Sequence, residues 1–479
     1  MMKHFKNILN TFYFLRRYLI AFLPFLLILT AVPEAQPAGV GRAKYVFLFI
    51  GDGMGYVQRN AAETYLAGMR RTHSDTAERR SQLLMNDLPV SATIRTDSLS
   101  GVTDSAAAAT AIATGNKTVN NAVGMNPQKD EVYESIAQKV RRRGLKVGIV
   151  TSAFLQDATP AAFYGHAPKR TDHYALGLQL CESGFDYFGG GGFRNPTGRD
   201  KKSASLLDIA AKNGYQIAGN AAAIAALKKG AKAMAIHPKL SAGAIPWAID
   251  GDESSLYLSV FVKKGIELLQ DGDGFFLMVE GGKIDLACHA NDAGAAIHEV
   301  LAFDEALDVA LTFYRRHPDE TLIVVTSDHE TGGMSMNGQT DPVAFYKTLS
   351  QQTGSYAAFE RTISPKAGAK IEEYLTRAKK FFGDGVRTTE GVRNAFRMSM
   401  TAKERRPAND KEYKKLYGPY DPFTMACIRE QNAAAGVAWT TFYHTGKDVA
   451  LTAIGAGAER FTGSYDLAGI HDRLLAAIE

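Results

Sequence analysis

Short apolar runs, each closed by a glycine or a polar cluster, recur along the chain from residue 44 onward. Residues 45–50 and 275–279 are apolar throughout, and 146–151 and 321–326 nearly so, with β-branched and aromatic side chains prominent. Runs of this length without alternation read as strands buried on both faces. Between them lie stretches of helical character: an alanine-rich one over 104–114, and others over 132–143 and 293–316. Strands alternating with helices predict an α/β fold, a three-layer sandwich with a large, mostly parallel central sheet flanked by helices. No repeat of fixed period is visible.

Two stretches break this rhythm. Residues 189–192 are four glycines, followed by Asn195-Pro196 and Gly198, and predict a loop. Residues 339–432 are richer in Lys, Arg, Tyr and Phe and lack buried strand runs, which predicts a largely helical insertion with solvated basic faces. Strand character returns at 437–443 and 449–454. The sheet domain is therefore expected to comprise 42–338 and 433–479.

Composition narrows the class. A chain of 479 residues with 46% hydrophobic and 22% charged content suits a soluble globular protein. Its net charge is +5, but Lys3, Lys6, Arg16 and Arg17 against Glu34 place +3 of that in the first 35 residues. The body keeps only +2, which gives no reason to expect a nucleic-acid partner. The basic stretch leads into apolar residues 18–32, broken only by Pro24 and Thr30, and then into Pro33-Glu-Ala-Gln-Pro-Ala38. That order predicts a signal peptide or N-terminal anchor over 1–35 and export to the periplasm or the extracellular space, with no other membrane contact. Cutting after Ala35 or Ala38 leaves Pro33 or Gln36 at the −3 position, so both readings of the segment stand. Cys181, Cys288 and Cys427 cannot all pair, and their spacing shows no disulfide framework.

The chemistry gathers where the apolar runs end. Glu280 closes one, and Asp285 and His289 follow four residues apart, on one face of a helix. Another run ends in Ser327-Asp328-His329-Glu330, and a third leads into Gly51-Asp52-Gly53-Met54-Gly55. Carboxylates and imidazoles at strand ends point to metal ions rather than to a core. Asp52 stands where a dinucleotide's pyrophosphate would have to sit, so the glycines around it suit a cation better. Thr103-Asp104-Ser105 opens the alanine-rich helix, where the dipole favours an anion; either Thr103 or Asp104 could be only a cap. Gln156-Asp157-Ala-Thr159-Pro160 offers hard oxygens or merely a turn, and Arg170 has the planar fork that grips a tetrahedral oxyanion. Tyr443-His444-Thr445-Gly446 adds one more imidazole after a β run.

Taken together, these blocks resemble the metal-dependent alkaline phosphatases. Ile50-Gly-Asp-Gly-Met-Gly55, Thr103-Asp-Ser-Ala106, Asp157-Ala-Thr-Pro160, Glu280-Gly-Gly-Lys-Ile-Asp285 with His289, Asp328-His-Glu-Thr-Gly-Gly333 and His444-Thr-Gly446 occur in that family's order. The resemblance implies a phosphoric monoester hydrolase acting on small phosphate monoesters, with Ser105 as the nucleophile and Arg170 clamping the phosphate. It further implies one zinc held by Asp285, His289 and His444 and a second held by Asp52, Asp328 and His329. A magnesium would use Asp52, Thr159 and Glu280. Asp104 and Asp157 would stand behind these ligands, Asp157 near the magnesium waters. A homodimer is expected too. The insertion joins the strand end at Asp328-His329 to the return strand before His444, so it is expected to cover the active-site face or form part of a dimer contact. Two zinc ions roughly 4 Å apart suit an in-line phosphoryl transfer.

One departure concerns Leu286, where many bacterial members have Lys, His or Trp; phosphate affinity and pH optimum are the properties it bears on. The sulfatase pattern is absent, because Ser105 is followed by Ala-Ala-Ala. A phosphodiesterase of the same superfamily is the enzyme alternative, and a non-catalytic exported zinc- or phosphate-binding protein is the alternative from another class.

Overall fold

The apolar runs form the middle of one sheet. In the computed structural model, residues 42–73, 82–251, 254–270, 272–338, 340–363, 365, 368–401 and 410–479 are described. The segment read as a signal or anchor, 1–35, lies outside them. Among the described residues no helix is long and apolar enough to cross a membrane.

The strands are β1 (Tyr45–Ile50), β2 (Val90–Arg95), β3 (Lys146–Thr151), β4 (Tyr187–Gly190), β5 (Gln216–Ala218), β6 (Ala233–Ile236), β7 (Phe275–Glu280) and β8 (Thr321–Thr326). The short β9 (Glu330–Thr331), β10 (Ser335–Met336), β11 (Val437–Ala438) and β12 (His444–Thr445) follow, then β13 (Val449–Gly455) and β14 (Gly463–Asp466). Ten of them make the central sheet, in the order β14-β2-β13-β8-β1-β7-β3-β4-β6-β5. Only β13 runs antiparallel to its neighbours there. β9 pairs with β12, and β10 with β11.

Alternation within the buried strands sorts side chains to the two faces. Val46, Leu48, Ile50, Phe276 and Met278 pack with the alanine-rich helix Ser105–Thr114 on one side. Phe47, Phe49, Phe275, Leu277 and Val279 pack with the helix Ala293–Tyr314 on the other. Both faces are thus covered, which is why these strands carry no polar alternation. In register, Ile50 lies opposite both Glu280 and Thr326, and Thr151 lies opposite Glu280. The carboxyl ends of β8, β1, β7 and β3 are therefore level, side by side, at the centre of the sheet.

The region 339–432 contains the helices Pro342–Leu349, Tyr356–Ile363, Ile371–Phe382, Glu390–Ser399, Lys411–Tyr417 and Pro422–Ala434. They enclose a separate aromatic core that includes Phe359, Phe382, Phe396, Phe423 and Phe442. In Ile371–Phe382, Tyr374, Leu375, Ala378 and Phe382 face inward, while Arg377, Lys379 and Lys380 are exposed. Asp292 ties this helical region to the helix Ala293–Tyr314 that it caps, accepting from Gln352 Nε2 and Tyr356 N, each at 2.8 Å.

Three expectations need correction. Gly189 and Gly190 belong to β4 rather than to a loop; a Cβ on Gly190 would lie 2.1 Å from the Thr151 carbonyl oxygen, so the close approach of β3 demands glycine. The helix expected over 132–143 begins only at Ile136, because Ser135 and Gln138 form a capping box. Residues 437–443 do not make one strand. Trp439 to Tyr443 turn between β11 and β12 instead, and the return to the sheet comes with β13.

Candidate active site

The level strand ends bring together residues scattered over most of the chain. Asp104 caps the helix Ser105–Thr114 by accepting from Ala107 N at 3.0 Å, which leaves Ser105 as the first helical residue. Ser105 Oγ lies 3.2 Å from His329 Nε2. The same nitrogen is 3.2 Å from Asp328 Oδ2 and 3.5 Å from Asp52 Oδ1. Asp328 is oriented through its other oxygen, which accepts from Gly53 N at 3.1 Å and His329 N at 2.9 Å. Gly53 has φ 71°, and a Cβ there would come within 2.9 Å of Asp285 and Thr331. That turn needs glycine both for its backbone and for its space.

A second group forms beside the first. His289 Nε2 is 3.2 Å from Asp285 Oδ2 and 3.1 Å from His444 Nε2, and His444 Nε2 is 3.6 Å from Asp285 Oδ1. The rings of His329 and His444 stack at 3.6 Å, so the groups share a wall. Toward β3, Thr159 Oγ1 lies 3.5 Å from Asp52 Oδ2, and Thr151 Oγ1 donates to Glu280 Oε2. Arg170 reaches Asp157 Oδ1 at 3.2 Å and Asp104 Oδ2 at 3.5 Å, beside Ser105. Asp157 also caps the helix Ala158–Tyr164, the helix that carries Thr159. All ten residues singled out as nucleophile, clamp or ligand, and both carboxylates expected behind them, thus fall in one contiguous region.

Its electrostatics demand cations. Burial, and then the other carboxylates, push Asp52 and Glu280 well above the usual carboxylate range, and burial lifts Asp328 to about 7. Burial also acts against Asp285, but His289, His444 and His329 outweigh it and hold that carboxyl low. His289 is raised to about 9 because Asp285 overcomes its desolvation, whereas burial and His444 drive His329 down. Asp52 Oδ1, Glu280 Oε1 and Asp328 Oδ2 are buried with no hydrogen-bond donor. Such oxygens are costly unless a cation meets them.

The imidazoles make the same point. His289 Nδ1 bonds the Phe442 carbonyl at 2.5 Å, and His444 Nδ1 bonds that of Thr103 at 2.8 Å. A carbonyl can only accept, so each Nδ1 carries hydrogen, and in the neutral ring Nε2 is then a lone pair. With both rings neutral, as metal ligands are, two lone pairs would face each other at 3.1 Å beside the Asp285 carboxylate, an arrangement that a metal ion resolves. Asp285, His289 and His444 form one group, and Asp52, Asp328 and His329 another; within each, the donor atoms lie within 4.8 Å of one another.

The family comparison agrees with this geometry. The model of the family described as alkaline phosphatase matches residues 43–183 and 192–479. The chain belongs to the alkaline phosphatase family. It is 29% identical to alkaline phosphatase 3 of Bacillus subtilis over 94% of this chain and 93% of that one. It is 32% identical to the repressible alkaline phosphatase of Saccharomyces cerevisiae, over 70% of this chain and 65% of that one. The cold-active alkaline phosphatase structure from a psychrophilic Shewanella superposes with a TM-score of 0.75 at 28% identity, covering 91% of this chain and all of that one (100%). For a member of this hydrolase family, metal dependence follows from the same donor set.

Sequence reasoning missed several supports of the site. Thr331 Oγ1 donates to Asp285 Oδ1 at 2.6 Å and lies 3.2 Å from His329 Nδ1, bridging the two groups. Glu330 Oε1 accepts from Gln58 Nε2 at 2.7 Å, and Thr445 Oγ1 donates to Glu330 Oε2, bracing β9 against β12. The available signal was the run 327–331, polar at every position yet directly continuing a buried strand. The carbonyls of Thr103 and Phe442 have no side-chain signature at all.

Proposed function

We propose that this chain is an exported alkaline phosphatase that hydrolyses phosphate monoesters through a phosphoserine at Ser105. Asp285, His289 and His444 would hold one zinc, Asp52, Asp328 and His329 a second, and the all-oxygen set Asp52, Thr159 and Glu280 a magnesium. When bound, these cations would neutralise charge at the attacking and leaving oxygens. Ser105 Oγ bonds to phosphorus as the ester P–O bond breaks and the alcohol leaves. Water then attacks the phosphoserine, breaking its P–Oγ bond and regenerating the hydroxyl. Arg170, aimed by Asp104 and Asp157, holds the dianion, and the helix that begins at Ser105 adds a favourable dipole. Export rests on the charge, apolar and proline-rich order of the N-terminal segment, and a homodimer is the assembly expected.

The observation that carries this reading is the single point where Ser105 Oγ, His329 Nε2 and the unpartnered oxygens of Asp52 and Asp328 meet. A Ser–His dyad without metal fits less well. His329 is fully buried, its basicity is depressed, and its Nε2 faces two carboxylate oxygens, at 3.2 and 3.5 Å, as well as Ser105. Ser105→Ala should lower turnover of p-nitrophenyl phosphate by several orders of magnitude while zinc and magnesium content stay near wild type. It should also abolish the phosphorylated Ser105 peptide trapped at low pH. Wild-type turnover in that variant would refute the covalent route. Faster cleavage of bis(p-nitrophenyl) phosphate than of the monoester would favour the diesterase instead.

A further inference from the structure

The site is polar inside, but three exposed residues that adjoin its outer part in sequence are apolar. Leu286 follows Asp285, Tyr443 precedes His444, and Val102 precedes Thr103, whose carbonyl holds His444. These are large hydrophobic residues, and they are 37%, 62% and 49% exposed. Their backbones are pinned: the Tyr443 carbonyl accepts from Gly332 N at 2.9 Å, and that of Val102 from Asn120 Nδ2 at 2.9 Å. Leu286 lies on the helix Lys283–His289, about 60° around the axis from His289. Gly446, two residues beyond His444, would bring a Cβ to 3.8 Å from Val102 Cγ2, so these segments lie side by side.

The insertion extends this surface. Tyr420 packs at 6.0 Å from Phe442, the residue before Tyr443, and at 5.3 Å from Tyr356. Scattered apolar residues on a surface mean little, but several on fixed backbone next to the ligands of one site mean more.

Reaction geometry says what these residues would touch. In an in-line displacement the leaving oxygen departs opposite the attacking one. Ser105 Oγ stands by the fully buried His329, so the leaving group points toward the open group of Asp285, His289 and His444. Leu286, Tyr443 and Val102 adjoin, in sequence, the residues that build and hold that group. Building on the phosphomonoesterase reading, we propose that Val102, Leu286 and Tyr443, extended by Tyr420, form an apolar mouth that selects phosphate monoesters of apolar alcohols over those of small or highly polar ones.

The test uses full-length, metal-replete protein and three esters whose alcohols have closely similar acidity: ethyl, n-hexyl and phenethyl phosphate. The wild-type kcat/KM should rise on the order of 10-fold from ethyl to phenethyl, chiefly through KM, as apolar area is removed from water. In the double variant Leu286→Gln/Tyr443→Ser that ratio should shrink to about 2-fold or less. Near-UV dichroism and metal content report whether the variant is folded; if it is not, the single variants Val102→Ser and Leu286→Gln carry the test, each with a partial loss of the ratio. A flat series in the wild type, or a ratio that folded variants leave intact, would overturn the apolar mouth while leaving the phosphatase reading standing. Failure to cleave any of the esters, p-nitrophenyl phosphate included, would overturn both.

Discussion

The two acid–imidazole groups are built from similar parts but differ in access. Side-chain exposure is 6% for Asp52 and zero for Asp328 and His329, against 10% for Asp285, 25% for His289 and 14% for His444. The inner group hangs from the turns after β1 and β8, adjacent strands at the centre of the sheet. The outer group takes two donors from the helix after β7 and its third from β12, which the chain reaches only after the insertion. Its histidines are aimed by carbonyls of Phe442 and Thr103 rather than by the sheet. One group is sealed by the core; the other depends on distant segments closing against each other.

That difference can be broken outright by replacing one donor in each group. Asp328→Asn should abolish most activity and the inner cation, and should leave the sheet centre less stable in thermal melts. His444→Ala should lose the outer cation while the inner one remains. Elemental analysis after brief EDTA treatment of the wild type should show the outer cation leaving first. Loss of both cations at one rate would show that exposure does not govern exchange. Readdition of zinc with magnesium should restore turnover in the wild type.

A milder probe acts behind the ligands. Glu330→Gln weakens the brace between β9 and β12 that positions His444. Outer-cation affinity should fall about 10–100-fold in competition with a chelator, with the inner cation unaffected. Equal weakening of both would show that the brace serves the site as a whole, as the bridging position of Thr331 would allow.

The smallest effect is expected at Leu286. A lysine there adds a cation beside the outer group, and inorganic phosphate inhibition should tighten by roughly 3–10-fold, the scale of one charge-assisted contact through water. An unchanged inhibition constant in a folded, metallated variant would mean that this side chain does not reach the bound anion.

Much of this site was legible because its signals are local. The four-residue spacing of Asp285 and His289 reports a shared helix face, and Asp104 before Ser105 reports a cap and a helix start. The carboxylates after β1, β7 and β8 stand out because they interrupt runs that are otherwise apolar. The glycines of β4 misled, since their reason is a carbonyl of β3 that no neighbouring residue reveals. The supports were silent too: Thr331 and Glu330 act through partners on other segments, and backbone carbonyls look alike in every sequence.

The sequence by itself determined the central buried strands and the main helices beside them, where the polar chemistry begins at the strand ends, and which residue types are available to meet a cation. Periodicity and capping act over a few residues, so they are written along the chain. Only the tertiary structure decided that the ends of β8, β1, β7 and β3 stand side by side, and that His444 reaches Thr103 across 341 positions of sequence. It also decided which cation group is sealed and which is open. Those outcomes depend on strand order and on the packing of the insertion, set by the burial of both sheet faces at once, and no local pattern encodes them.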